Sequence, residues 1–555
     1  MSRDDTMTWK RTVVRVTAAA AVMLFAGFTL PADTSYFFSV KKNIEVFGRV
    51  YKEISTHYVD QVDPDRFMQA GIDGMLESLD PYTVYIAEGE GDEVDLLTNG
   101  KYGGIGVTIG IRDGGVRVIS VMDGYSAQRA GIMPGDKIIA VDGVGVEGKK
   151  PDEVRGLTRG DPGTSVKVSI QREGEKAPVE FVLLREEIKL KNVTYADFIE
   201  PGIGYIRLER FSRLAGEEVR QALKDFKVRG DLKGVILDVR GNPGGLLDAA
   251  VEVVSKFVPR GSLVVSTKGR SSDSDKQYRS DEEPLLASVP MAVLTDRGSA
   301  SASEIVAGGI QDLDRGLIVG TRTFGKGLVQ TVMPLDYGSQ LKMTTARYYT
   351  PSGRCIQEID YLHRDSNGVF AKTPDSLKQV FTTANGRKVY EHGGISPDTV
   401  VDETNPGPMV RELQRKAMFF KFVTTYRAAH QADTSGAVTP EIMREFDAFL
   451  KKEKFEFQED TQSRLQDLRT QAVAYHYGDE VLKDLDLLTS ALAKEKERAF
   501  DRYAAHIKDE LQMEFAGRLQ GERGRIRASF PSDVQLNTAV AVLKNPKAYS
   551  RKLGI

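Results

Sequence analysis

At 555 residues the chain exceeds what one core organises, since ~150 residues per domain is the usual scale, so several domains are expected. Hydrophobic residues make up 41% and charged residues 28%, a globular balance that excludes a disordered chain and a polytopic membrane protein. The formal net charge of -3 lacks the basic excess of a dedicated nucleic-acid binder. The lone cysteine, Cys355, forms no intramolecular disulfide and no Cys-based metal centre. The six histidines are scattered without an HExxH pattern, so neither a metal site nor a zinc hydrolase is expected.

Residues 1–33 read as an export signal or a short membrane anchor. Lys10, Arg11 and Arg15 form a basic flank ahead of the apolar run from Val16 to Leu30. That run is shorter than the ~20 residues of a full span, and Pro31-Ala32-Asp33 offers only a weak cleavage site. Cleavage and anchoring both stay open. Either way the expected location is the periplasm or the outer face of the cytoplasmic membrane. Residues 34–97 carry helical periodicity at Ile44, Phe47, Val50 and Ile54, then at Phe67, Ile72, Met75 and Leu79, closed by the turn Asp80-Pro81-Tyr82.

From 98 to 187 the chain turns to glycine-punctuated, β-branched strands. From 188 to 404 strands alternate with helices, as VILDV and MAVLTD each precede an amphipathic stretch, which predicts an α/β domain. Residues 271–283 read as a surface loop. Residues 405–555 are highly charged with helical periodicity, which predicts a separate helical domain.

The chemistry concentrates in 295–330. A strand ends at Leu294, small residues follow, and a helix begins near Ser301 to Ser303. A serine at a helix start lies beside free backbone N–H groups that stabilise an oxyanion, but it needs a base. No histidine lies in this segment, and Lys326, between Gly325 and Gly327, is the nearest candidate. It serves only as the neutral amine, which burial favours. Two plainer readings compete: Ser301 to Glu304 fits the S-x-x-E capping box, and the FGKG stretch fits an exposed turn.

The stretches GSASASEI and GTRTFGKGLVQ resemble the active-site region of the carboxyl-terminal processing peptidases, or tail-specific proteases. The likeness runs from about residue 40 to about 400 and takes in ESLDPYTVYI, DVRGNPGGLL, YYTPSGRCIQ and GGISPD. It implies Ser301 as nucleophile, Lys326 as general base and Gln330 as the residue that orients the lysine. Asp312 would support the site as in some members, although a polar helix end explains it nearly as well; Ser299 and Ser303 stay open as alternative nucleophiles. Gly244 or Gly245, with the N–H of Ala302, would form the oxyanion hole. The implied core is a crotonase-like α/β spiral with an inserted PDZ domain and helical regions at both ends.

Residues 101–187 resemble a PDZ domain, through Tyr102 to Gly106 and the AGIMPGDKIIAVDG stretch. The resemblance implies that Gly103, Gly104, Ile105 and Gly106 hold a terminal carboxylate and that the peptide adds as a strand. Val107, Ile109, Val154 and Leu157 would line its apolar pocket. Arg159 matches a basic position linked to switching in some members, although a solvent-facing side chain is the simpler reading.

The leading expectation is an exported serine endopeptidase, with no cofactor, that acts on protein tails with apolar C-termini. One rival is a catalytically dead PDZ scaffold. Another is an acyl-CoA enzyme on the same fold, against which the export signal counts. The C-terminal helices are candidates for an oligomerisation arm, a lid or an adaptor platform.

Overall fold

The computed structural model describes residues 33–88, 99–364, 370–372, 379–430 and 435–555. The basic flank and the apolar run to Leu30 lie outside the described residues, as do 89–98. The chain divides into two compact units, 1–85 and 86–555. In the first, helices Asp33–His57 and Pro64–Leu76 form where the periodicity predicts them. Asp63 caps the second helix by accepting the N–H groups of Asp65 and Arg66, and Tyr51 stacks on Phe67 at 5.5 Å.

In the second unit the PDZ region is an antiparallel sheet in the order 107–112, 115–121, 137–141, 165–171 and 179–184. Asp113 and Gly114 both take positive φ in the first hairpin, as a two-residue Asp-Gly turn requires. Helix Pro151–Thr158 packs on strand Val107–Arg112, which is an edge of the sheet. Val118, Val141, Val154, Val168 and Ile170 fill the core.

The central sheet runs Val193–Glu200, Ile203–Leu208, Gly234–Asp238, Met291–Thr295, Leu317–Gly320 and Thr399–Val400. Its first pair is antiparallel and all the others are parallel. The inner strands Gly234–Asp238, Met291–Thr295 and Leu317–Gly320 are buried along their whole length and mostly apolar, as strands covered on both faces are. Along Gly234–Asp238, Val235 and Leu237 join the core under helices Ala215–Arg229, Leu247–Ser255 and Ala302–Asp312, while Ile236 points to the other face. Each such side chain contributes roughly 1.5–3 kcal/mol by leaving water. In a second sheet, Gln340–Tyr349 pairs antiparallel with both Leu328–Pro334 and Leu263–Gly269.

Two expectations meet a different arrangement. The stretch 271–283, read as a loop for its polarity, contains strand Lys276–Arg279 paired to Leu263–Gly269. The region 405–555 contributes to three hydrophobic clusters rather than one, the smallest formed by Leu465, Ala472 and Leu485. Phe419, Phe422, Phe446, Ile507 and Phe515 make a core of their own. Beyond a break at Gly521, Ile526, Leu536, Ala539, Val540 and Leu543 pack on the far face of the central sheet instead. The Tyr549 hydroxyl fixes this layer by bonding Met291 O at 3.1 Å and accepting Met291 N–H at 2.9 Å.

Candidate active site

Three loops leave the carboxyl ends of three neighbouring parallel strands, those ending at Asp238, Thr295 and Gly320. In open parallel sheets this is where ligands bind. The sheet thus brings together Gly244–Gly245, Ser301 and the FGKG segment from separate parts of the sequence.

Ser301 opens helix Ala302–Asp312 at φ 54°, ψ −113°, a region that non-glycine residues adopt only under strain. The chain passes from strand to helix here in a sharp turn that holds the Ser301 side chain at the helix start. The capping reading holds in its reciprocal half: the Glu304 carboxylate accepts the Ser301 N–H at 2.9 Å, while the Glu304 N–H bonds the Ser301 carbonyl at 2.8 Å. Ser301 is half-buried, whereas Ser299 and Ser303 are fully buried. Ser299 donates to Val239 O at 2.8 Å and Ser303 to Asn242 O at 2.8 Å.

Gly244 lies directly against this turn. Its φ of 104° is disallowed to side chains, and a Cβ there would come within 2.9 Å of Ser301 Cβ and of Ala302 N. The Gly244 N–H is committed to Asn242 Oδ1 at 2.9 Å. Among the described residues, the N–H groups of Gly245 and Ala302 meet no acceptor. Asn242 and Asp296 stitch the loops together. Asn242 reaches back to Leu208 O at 2.8 Å and its carbonyl accepts Ala300 N–H at 3.1 Å. Asp296 accepts Gly241, Gly298 and Ser299 N–H at 2.9–3.0 Å. The Tyr348 hydroxyl bonds Ser301 O at 3.1 Å.

Glu304 is the residue whose part the sequence conceals. Its buried carboxylate accepts Ser301 N–H at 2.9 Å, Thr323 Oγ1 at 2.6 Å, Gly325 N–H at 2.7 Å and Lys326 N–H at 2.9 Å. It therefore clamps the serine turn to the lysine loop. Burial pushes its carboxyl up to about 7, against the opposing pull of those four donors. An acidic residue leading the apolar run IVAGGI was the available signal, and the capping box explained it away.

Lys326 is half-buried, between Gly325 and Gly327. The two motif stretches downstream hold its loop: Gln357 accepts Gly327 N–H at 2.7 Å, and Thr323 accepts Ile395 N–H at 2.7 Å. Gln330 lies on strand Leu328–Pro334 and donates its amide N–H to Thr344 Oγ1 at 3.1 Å. That orientation leaves the amide oxygen as the acceptor.

Asp312 is not brought to the site. It ends the same helix, roughly 15 Å from Ser301 at ~1.5 Å per residue. There it accepts buried Arg354 at 2.7 Å and Ser352 N–H at 3.1 Å. Its acidity serves an ion pair that anchors the PSGRC stretch, which explains a buried acid without a role in the site.

In the PDZ region Gly103 and Gly104 belong to strand Lys101–Gly104, paired with Glu186–Lys189. Ile105 and Gly106 follow, and among the described residues their N–H groups meet no acceptor. Val107 and Leu157 are half-buried beside the open edge, while Val154 is wholly in the core and Ile109 nearly so. Arg159 is not solvent-facing: its guanidinium lies over the Tyr102 ring at 4.7 Å.

Comparison with known proteins agrees with this architecture. Residues 202–364 match peptidase family S41, and residues 117–172 match the PDZ domain. Residues 409–543 match "Probable PDZ-protease, C-terminal helical domain", and residues 29–89 match "Activating protease CtpB N-terminal domain". A carboxy-terminal-processing protease of Bartonella bacilliformis is 39% identical over 321 residues, 57% of this chain and 73% of that one. Carboxy-terminal processing protease CtpA of Bacillus subtilis is 30% identical over 390 residues, 70% of this chain and 81% of that one. Among solved structures, a photosystem II D1 C-terminal processing protease is 27% identical and covers 64% of this chain and 92% of its own, with a TM-score of 0.34. The chain belongs to the carboxy-terminal processing proteases of peptidase family S41.

Proposed function

We propose that the protein is an exported serine endopeptidase in which Ser301 is the nucleophile, Lys326 the general base and Gln330 the residue that orients the amine. The observation that carries this reading is the Ser301 turn. A strained serine opens the helix with the Gly244 turn packed against it, and the N–H groups of Gly245 and Ala302 that flank this junction in the chain meet no acceptor among the described residues. Ser301 Oγ attacks the scissile carbonyl carbon while the neutral Lys326 amine takes its proton, and the oxyanion accepts from those two N–H groups. The lysine ammonium then protonates the departing amine as the C–N bond breaks. Water next attacks the acyl-enzyme, gives a proton to Lys326 and restores Ser301.

The PDZ region would seize the substrate's free carboxylate on the Ile105 and Gly106 N–H groups and pair its tail along strand Val107–Arg112. Val107 and Leu157 favour an apolar last residue. The winding of the core, parallel strands with helices on both faces, supports a crotonase-like spiral. The basic flank and apolar run before residue 31 support export, to the periplasm or the outer face of the cytoplasmic membrane.

A fluorophosphonate probe should label Ser301, as mapped by peptide mass spectrometry. Ser301→Ala should lose both label and peptide hydrolysis, by about 10³-fold or more, with an unchanged thermal transition. Label on Ser299 or Ser303 would move the nucleophile. A folded wild type with neither label nor turnover would favour the scaffold.

A further inference from the structure

The loop that carries the Gly245 N–H has little to define its own shape. Gly241, Gly244 and Gly245 take φ of 67°, 104° and 152°, so three of its five residues from Gly241 onward are glycines, which favour no single backbone conformation of their own. Such a loop is held by what grips its ends. Asn242, Asp296 on the Gly241 N–H and Phe211 O on the Leu246 N–H are three of its grips. Another is Arg240, at its start, and it reaches a segment almost three hundred residues away.

Arg240 is bound on two sides. Toward the sheet, its N–H, Nε and Nη2 bond the buried Asp238 carboxylate at 2.9, 3.0 and 2.7 Å, and the Tyr205 hydroxyl donates to the same carboxylate at 2.6 Å. Toward the C-terminal helices, it forms a bidentate pair with Asp533, Nη1 to Oδ1 at 3.0 Å and Nη2 to Oδ2 at 2.6 Å. Nη1 also bonds Gln535 Oε1 at 2.9 Å. Asp533 is itself fixed as the cap of helix Val534–Leu543, accepting Leu536 N–H at 2.9 Å. That helix is packed on the central sheet through Leu536, Ala539, Val540 and Leu543. A planar guanidinium gripped by two carboxylates has one orientation, and the backbone that follows it inherits that orientation.

We propose that Asp533 is a positioning residue for peptide hydrolysis: through Arg240 it sets the loop that presents the Gly245 N–H to the oxyanion. This rests on the assignment of Ser301 and the Gly245 N–H above. The C-terminal segment is then part of the active-site framework as well as a layer of the core.

Asp533→Asn tests this in the full chain, because asparagine caps a helix as well as aspartate does but cannot form the charged fork with Arg240. Expected is a thermal transition close to wild type, kcat down about 10–100-fold on a peptide substrate, and KM within about 2-fold. Inhibition by a peptide aldehyde, whose hemiacetal oxygen needs the same N–H groups, should weaken in parallel with kcat/KM. Binding of a tail peptide to the PDZ region should not change. Arg240→Lys should show the same split between kcat and KM, because an ammonium cannot bridge the two carboxylates. Wild-type kcat in folded Asp533→Asn overturns the proposal, as does a loss explained wholly by a smaller folded fraction. If Ser301→Ala retains turnover, the assignment of the nucleophile fails instead, whatever Asp533→Asn does.

Discussion

The PDZ groove and the proposed catalytic crevice share one feature, backbone N–H groups that meet no acceptor among the described residues, yet they are assembled in opposite ways. The groove is local. Its carboxylate loop, open strand and flanking helix all lie between Gly103 and Thr158, and a sheet edge suffices to define them. The crevice is global. Its N–H groups, serine and lysine come from three loops joined by the side chains of buried Asn242 and Glu304 and half-buried Asp296, with a fourth segment reaching in through Asp533. Recognition should therefore tolerate small changes, while chemistry should fail when a single buried polar link is lost.

The largest effect expected from breaking such a link is at Glu304. All four of its partners approach as donors, so a glutamine there must turn its NH₂ toward at least one of them. Glu304→Gln should lower kcat by about 100-fold, with a stability loss of ~1–3 kcal/mol from the unsatisfied donor. Steady-state kinetics beside a denaturant titration would check both; wild-type kcat would show that the clamp is dispensable. The same variant should alter pH dependence. With its carboxyl pushed up from an ordinary 4.5 to about 7, the folded chain holds a proton that the unfolded chain has released. That stabilising contribution is full below pH 4.5 and lost as the pH rises through 7, so Glu304→Gln should flatten the decline over this window.

A smaller effect is expected at the groove. Amidating a substrate's C-terminus removes the charge that the Ile105 and Gly106 N–H groups would hold. Below saturation this should slow cleavage about 10-fold through weaker binding, with kcat retained. Equal rates for free and amidated tails would separate the PDZ region from substrate capture.

The same local-versus-global contrast explains what the sequence disclosed. Helices 33–57 and 64–76, the glycine-punctuated strands of 98–187 and the alternation of strands and helices beyond them were legible because periodicity and turn residues act over a few positions. The family motifs marked Ser301, Lys326 and Gln330. Glu304 read as a cap because its other partners, Thr323, Gly325 and Lys326, lie some twenty residues on, and spacing carries no sign of that contact. Asp312 looked functional for the same reason: its partner Arg354 is remote, and a buried ion pair and a catalytic acid look alike as isolated letters. Of the two candidate glycines, only the observed commitment of Gly244 N–H to Asn242 favours Gly245 as the donor. The division of 405–555 among several cores escaped notice because a helix packed on its own bundle and one packed on a sheet show the same stripe.

The central claim, that a lysine performs the proton transfer for Ser301, is tested most directly by turnover of Lys326→Arg and Lys326→Ala beside wild type, with folding verified by thermal melting. Both folded variants should lose nearly all activity; arginine keeps the charge, but its guanidinium stays protonated and cannot accept the serine proton. A folded variant of either kind that keeps most of the wild-type rate would contradict the Ser301/Lys326 mechanism and require another base.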